Sequence, residues 1–377
     1  MKIAMFYHSL ASDWNHGNAH FLRGVTTALI EKGHTVKVYE PKNSWSLENL
    51  IRDHGKAKAE EYKKYYPLLE TTFYDAENPD YNKMLKGVDV VIVHEWNEPQ
   101  LVKEIGLLKN KYKYQLLFHD THHRAVSDKK SMQRYDFSNY DGALVFGNVL
   151  RDIYLKNKWL KNVWVWHEAA DTSLFYPGPE TQKEGDLVWI GNWGDNERTE
   201  ELMEFLIKPI KELGLKAKVY GVRYPDEALT ALRDAGIEYG GYLPNYKVPE
   251  VFAKYKLTVH VPRGPYVKLL PGIPTIRPFE AMACGIPLIS SPWKDEEGLF
   301  SPGKDFLMAK DGQEMKELMK KLLTDTDFAL SMALRGYKTI LKKHTCAQRA
   351  DELETIIEQL EINKKGEKGM LKKTAEL

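Results

Sequence analysis

A strand–helix alternation runs once along this chain, stops at a Pro- and Gly-bearing stretch, and starts again. The first run opens with the short apolar segment Lys2–Tyr7, followed by a polar loop with Gly17. Phe21, Val25, Ala28 and Leu29 then recur at helical spacing, and Gly33 stands where a left-handed residue ends a helix. Five further segments rich in β-branched and aromatic residues are Thr35–Glu40, Asp89–His94, Tyr114–His119, Gly142–Gly147 and Asn162–His167. Helical or loop segments separate most of them. Strands spaced by helices form βαβ units, which place the strands parallel in one sheet covered on both faces. The stretch Ala169–Glu184 holds Pro177, Gly178 and Pro179 among polar residues and reads as a linker. The alternation then restarts with Leu187–Asn192, a helix from about Glu197 to Leu213, Ala217–Gly221, Leu257–Pro262, a helix around Glu280, and Pro287–Ser291.

The expected fold class is α/β: two doubly wound domains facing each other across a cleft, with ligands at the carboxyl ends of the strands. The predicted divisions are an N-terminal domain 1–168, a linker 169–185, a C-terminal domain 186–345, and a helix with a Lys-rich tail over 346–377. The final helix is expected over Ala347–Ile362. Its tail reads as a solvated terminus, with weak contact to anionic lipid as the alternative.

Composition narrows the function. A length of 377 residues suits two domains at about 100–200 residues each. Lys and Arg number 54 against 53 Asp and Glu, which excludes a nucleic-acid binder acting through a global positive field and leaves room for a local basic groove. Cys284 and Cys346 are too few for a disulfide framework or a cysteine zinc site and suit a reducing cytosol. No apolar run reaches the roughly 18 residues of a membrane span, and MKIAMFYHSL is short for a signal peptide. A cytoplasmic protein is expected. The chain has 21 Tyr and nine Trp, several at strand ends where ligand-stacking surfaces form, although core packing takes most such residues.

The most informative motif is Pro271–Pro292, PGIPTIRPFEAMACGIPLISSP. A Pro- and Gly-rich loop leads into a short helix bearing Glu280. The free N–H groups and positive dipole end of a helix suit the turn Pro274, Thr275, Ile276 and Arg277 to a phosphate, with Arg277 as a bidentate partner. A carboxylate one turn later, at Glu280, suits two ribose hydroxyls; a solvated surface glutamate is the alternative.

FEAMACGIPLIS resembles the donor-nucleotide motif of GT-B glycosyltransferases, above all the retaining family four and the spore-maturation CgeB-like proteins. The resemblance implies two Rossmann-like domains closing over a nucleoside-diphosphate sugar, UDP-linked, with a final helix crossing back to the N-terminal domain. It implies a hexosyltransferase-type activity that retains anomeric configuration and needs no metal or other cofactor. It assigns the ribose to Glu280. Many family-four members carry a second Glu eight positions earlier, toward the donor sugar; here that position is Gly272. Leu187–Glu197 resembles the first strand and turn of the donor domain, placing Gly191, Asn192 and Trp193 beside the diphosphate and Arg198 facing it. No GxGxxG occurs, which disfavours a nicotinamide or flavin. Arg223 lies at the strand end near the base, and Tyr242 and Leu243 in the turn beside it. One of Arg263, Tyr266 and Lys268 is expected to face the donor.

On the acceptor side the resemblance brings Gly17, Asn18 and His20 across the cleft, with Arg23 expected on a helix surface. The run LLFHDTHHRA gathers His119, Asp120, His122 and His123. The resemblance gives His119 and Asp120, with Arg277, catalytic roles toward the sugar and its leaving phosphate, and puts His123 on the sugar side. A metal site and a plain structural loop are the alternatives. Glu95 and Asn97 are candidate acceptor groups, with Glu95 a possible general base or a strand-end cap. An epimerase of the same architecture and a non-catalytic nucleotide-sugar binder, the latter favoured by Gly272, are the rival functions. The acceptor and the oligomeric state stay open.

Overall fold

The computed structural model describes residues 1–179 and 181–375, with side chains through 362. The first sheet contains β1 (Lys2–Phe6), β2 (Thr35–Pro41), β3 (Thr71–Tyr74), β4 (Val90–His94), β5 (Gln115–Asp120), β6 (Gly142–Val145) and β7 (Val163–Val165). Its order is β3-β2-β1-β4-β5-β6-β7. The second contains β8 (Gly185–Ile190), β9 (Ala217–Tyr220), β10 (Glu238–Tyr239), β11 (Tyr255–His260), β12 (Leu288–Ser290) and β13 (Leu307–Met308), in the order β10-β9-β8-β11-β12-β13. Every strand pair is parallel.

The central strands are buried on both faces by helices: β4 and β5 are buried at every position. Strands β3, β10 and β13 have no counterpart among the predicted runs. All are short and lie at or near sheet edges; both residues of β10 are exposed.

In each sheet the strand order reverses once, between β1 and β4 and between β8 and β11. Loops diverge at such a switch point and leave a crevice beyond the carboxyl ends. The two crevices face each other, and one buried cluster runs between the domains, joining Met5, Phe21 and Trp166 to Phe279 and Ile340.

The segment between β7 and β8 is partly pinned: the Phe175 ring stacks on His20 with centroids 3.8 Å apart. The last helix, Cys346–Ala375, packs on the N-terminal domain. Trp166 donates to the Arg349 carbonyl at 2.8 Å, and Lys32 and His34 pair with Glu354 at 3.0 and 2.7 Å. Gly24 permits this contact, because a Cβ there would sit 2.7 Å from Cys346 Sγ. The helix runs past the predicted Ile362, and the side chains of the Lys-rich tail from 363 onward lie outside the described residues. No helix among the described residues is long and apolar enough to cross a membrane.

Arg23 departs from its expected surface place. It is fully buried, paired with Asp13 at 2.7 Å, and its guanidinium lies 5.5–5.7 Å from the rings of Tyr62, Tyr66 and Tyr246. The loop after β1 folds back over it: Arg23 Nε donates to the Leu10 carbonyl at 2.8 Å.

Candidate functional site

The facing crevices enclose a cleft of about 1060 Å³. From the N-terminal domain it is lined by loops after β1 (His8 and Asp13–Asn18), after β4 (Trp96 and Asn97) and after β5 (Thr121 and His122). From the C-terminal domain it is lined by loops after β8 (Gly191, Asn192 and Arg198), after β9 (Gly221–Arg223), after β11 (Val261–Arg263) and by the turn Thr275–Arg277.

The C-terminal wall is cationic. Arg198 lies 5.1 Å over the Trp189 ring and donates to the carbonyls of Asn192, Trp193 and Val261. Burial, with the charges of Arg263 and Arg277 added, pulls its pKa down to about 10. His260, at the end of β11, is held to about 3 by burial and then by Arg198 and Arg277. Burial is the larger cause of both shifts, and the neighbouring arginines add to it. Arg263 pairs with Glu197 at 2.5 Å, and Arg277 with Glu280.

The turn preceding Arg277 is strained. Thr275 has φ 61° and ψ 179°, a region natural to glycine that costs another residue about 1–3 kcal/mol. The backbones also approach closely here: a Cβ on Gly221 would sit 2.1 Å from the Gly191 carbonyl oxygen, so the loop after β9 meets the loop after β8 only because position 221 carries no side chain.

The N-terminal wall has the opposite character. Among the described residues it lines the cleft with the carboxyl groups of Asp13, Glu77, Glu98, Glu104 and Glu168 and with no Lys or Arg. Trp45 and Trp96 are exposed there, 53% and 41%, and Tyr74 and Tyr81 lie in the same lobe. His8 and His16 meet edge to face at 4.2 Å, and Trp96 meets His122 at 4.8 Å. Burial holds His16 to about 3 and His122 to about 2, so both rings are neutral at physiological pH.

Polar contacts stitch the walls together. Asp13 accepts from the Tyr242 hydroxyl and from the Asn245 N–H at 3.0 Å, and Asn192 Nδ2 donates to Asn15 at 2.5 Å. His20 Nε2 accepts from the Asp171 N–H at 2.7 Å, which leaves the proton on Nδ1 to donate to Glu280 Oε1 at 2.8 Å. Asn245 Nδ2 donates to the same oxygen at 2.9 Å, and Arg277 to Oε2.

Of the predicted residues, Gly17, Asn18, Gly191, Asn192, Arg198, Arg223, Tyr242, Leu243, Thr275, Ile276 and Arg277 line the cleft together. Asn97, His122, Arg263 and Tyr266 line it too. The remaining predicted residues do not, and each is a correction of placement. Glu280 is fully buried, and its oxygens are occupied by His20, Asn245 and Arg277; it links the domains and positions Arg277 instead of facing the cleft. His20 is its buried partner. Trp193 turns into the domain core and donates to Thr199 at 3.0 Å, and Pro274 is buried behind the turn. His119 and Asp120 still belong to β5. His119 packs against Phe21, His94 and Trp166, and Asp120 accepts from Tyr154 at 2.7 Å and the His122 N–H at 3.0 Å. Glu95 is paired with Arg124, and burial pushes its pKa to about 8 against that charge. His123 bonds Ser127 at 2.7 Å. The rings of His122 and His123 lie 4.0 Å apart while His119 packs on Trp166, and among the described residues no group of three or more His, Cys, Asp or Glu is placed to hold a metal.

Asp13, His16, Trp45, Trp96 and Glu168 were not singled out by sequence. For the tryptophans the position near a strand end was the available signal; for Glu168 only its place beside the linker marked it.

A family model described as "Glycosyl transferase-like" matches residues 198–355, less than half of the chain. No curated protein matches significantly. Solved structures match over nearly the whole length. Sucrose-phosphate synthase from Thermosynechococcus elongatus is 15% identical with a TM-score of 0.66, covering 96% of this chain and 100% of that one. Anabaena HepE in complex with UDP-glucose is 11% identical with a TM-score of 0.67, covering 95% and 100%. An alpha-glucosyltransferase in complex with UDP and a 13-mer DNA is 14% identical with a TM-score of 0.67, covering 95% and 99%. Two parallel-sheet domains joined across a cleft, matched end to end in this way, give the chain the GT-B glycosyltransferase fold.

Proposed function

We propose that the protein is a glycosyltransferase that moves a hexose from a UDP-sugar to an acceptor held by the N-terminal wall. The observation that carries this reading is the convergence of Arg198, Arg263 and Arg277 on one wall of the cleft. Such a cluster suits a diphosphate, and it favours the transition state because charge grows on the leaving phosphate. The similar folds of HepE with UDP-glucose and the alpha-glucosyltransferase with UDP support the choice of nucleotide.

In this reading Arg277, held by Glu280, and the turn at Thr275 and Ile276 meet the phosphates; Gly191 and Gly221 let the backbone approach; Leu243 and Val222 face the base. Retention of configuration and catalysis without a metal or other cofactor belong to the same proposal, as does a cytoplasmic location for a chain whose two cysteines are free and buried. The facing wall favours transfer over epimerisation, because its aromatic lobe leaves room for a second substrate: the cleft lies at the upper end of the usual 300–1,000 Å³ range, roughly. Glu77, Glu98 and Glu104 on that wall, with no cation lining it among the described residues, disfavour a polyanion such as DNA and favour a neutral or amine-bearing, hydroxyl-rich acceptor.

The test is incubation with a panel of UDP-sugars in excess chelator. Release of UDP supports transfer or hydrolysis, an isomerised donor supports the epimerase, and neither, with binding intact, supports a binding protein. Activity that appears only with an added divalent ion contradicts the metal-free proposal.

A further inference from the structure

Glu168 stands apart from every other buried carboxyl group. It follows β7, is 2% exposed and lines the cleft, yet neither of its oxygens has a hydrogen-bond partner. Among the described residues no other buried carboxyl group has both oxygens unpartnered. Its neighbours show how such groups are normally met: Glu40 accepts from the N–H groups of Leu10 and Ala11 and from Thr71, and Glu280 accepts from His20, Asn245 and Arg277. A carboxyl group buried without donors is costly to the fold, and a fold keeps one where a ligand supplies the donors.

Its position limits the ligand. Glu168 lies near enough to Glu280 to be influenced by it and to Tyr266 to influence that hydroxyl, and it shares the cleft lining with Ile276 and Arg277 at the turn. A diphosphate is an acceptor and brings no donors to meet the Glu168 oxygens. A metal ion would need companion ligands, and no group of three is placed to supply them among the described residues. What lies next to a diphosphate in a nucleotide sugar is the sugar, whose neighbouring hydroxyls are paired donors of the kind two carboxyl oxygens accept. Burial, reinforced by Glu280, already holds the group well above the ordinary carboxylate range, as expected of a site whose donors arrive with the ligand.

Resting on the nucleotide-sugar reading above, we infer that the Glu168 carboxyl group holds the hydroxyl groups of the transferred sugar and supplies the affinity that separates a UDP-sugar from UDP.

The experiment is calorimetric titration of the wild type, Glu168→Gln and Glu168→Met with UDP and with the tightest-binding member of a set comprising UDP-glucose, UDP-galactose and UDP-N-acetylglucosamine. Thermal melting of the three unliganded proteins accompanies it. The wild type is expected to bind the UDP-sugar more tightly than UDP. In both variants UDP affinity should stay within about twofold while the UDP-sugar loses about tenfold or more, as when buried hydrogen-bonding groups lose their partner. Glu168→Met should melt above the wild type, since a methionine leaves no polar group unmet. An unchanged preference for the UDP-sugar in the variants overturns the inference, as does equal loss of both ligands or a lowered melting temperature in Glu168→Met. A wild type that binds UDP but no sugar more tightly also overturns it and leaves the nucleotide reading standing. A wild type that binds none of these ligands overturns both.

Discussion

The two walls of the cleft are built alike and charged oppositely. Each consists of loops from the carboxyl ends of a parallel sheet at its switch point, yet one presents Arg198, Arg223, Arg263 and Arg277 and the other Asp13, Glu77, Glu98, Glu104 and Glu168 beside exposed Trp45 and Trp96. A near-zero net charge conceals this asymmetry. The fold supplies the crevice, and side chains on equivalent loops decide what each half holds. The division predicts a polyanionic group on one side and a hydroxyl-rich or amine-bearing one on the other.

The largest expected effect comes from cutting a stitch between the walls. His20→Ala strips a fully buried donor from Glu280, and loss of one partner to a buried carboxylate, with the cavity left behind, should cost about 3 kcal/mol in chemical denaturation. If stability is unchanged, the contact is not part of the folded state in solution.

Next is Arg277→Lys. A point charge cannot reproduce the planar fork, so affinity for UDP should fall about tenfold to a hundredfold while uridine changes little. Equal loss for both ligands would show that the residue acts through folding and not on the diphosphate.

Two neighbouring glutamates should respond to pH with opposite sign. Burial pushes Glu280 up, but Arg277, His20 and Asn245 together hold it below the ordinary glutamate value of 4.5. Its folded value is therefore lower than its unfolded one; the stability it adds is present above pH 4.5 and lost as pH falls through the folded value. Burial raises Glu168, so its contribution runs the other way: stability falls as pH rises above 4.5 toward its folded value. Glu280→Gln should flatten the acid side of a stability–pH curve, and Glu168→Gln should lift the neutral side. Parallel changes in the two variants would contradict the assigned environments.

A smaller effect is expected at Trp96. Loss of an aromatic contact is worth about 0.5–1.5 kcal/mol, so Trp96→Ala should raise the KM for an acceptor severalfold and leave the Kd for UDP unaltered. A shift in UDP affinity alone would move this side chain to the other wall's ligand.

Most of the sheet architecture was legible, because buried parallel strands write themselves as continuous apolar runs such as Val90–His94. Edge strands such as β10 bury little and leave little pattern. In the site, legibility depended on where each strand ends. β5 runs through Asp120, one residue past the predicted run, so His119 and Asp120 both lie in the sheet and the cleft gets Thr121 and His122 instead; after β4, Glu95 turned inward while Trp96 and Asn97 reached the cleft. A shift of one or two residues redirects side chains, and a single sequence does not resolve it. The donor turn was legible because Thr275–Arg277 opens a helix. The direction of Glu280 was not, since it depends on His20, 260 positions away.

The most direct test of the account is a pair of calorimetric titrations of the wild-type protein, with UDP and with uridine, at low and at moderate salt. If the arginine wall holds a diphosphate, UDP should bind at least about a hundredfold more tightly than uridine, and its advantage should shrink as salt screens the charges. Equal affinities that do not respond to salt would contradict the assignment of that wall and the proposed function with it.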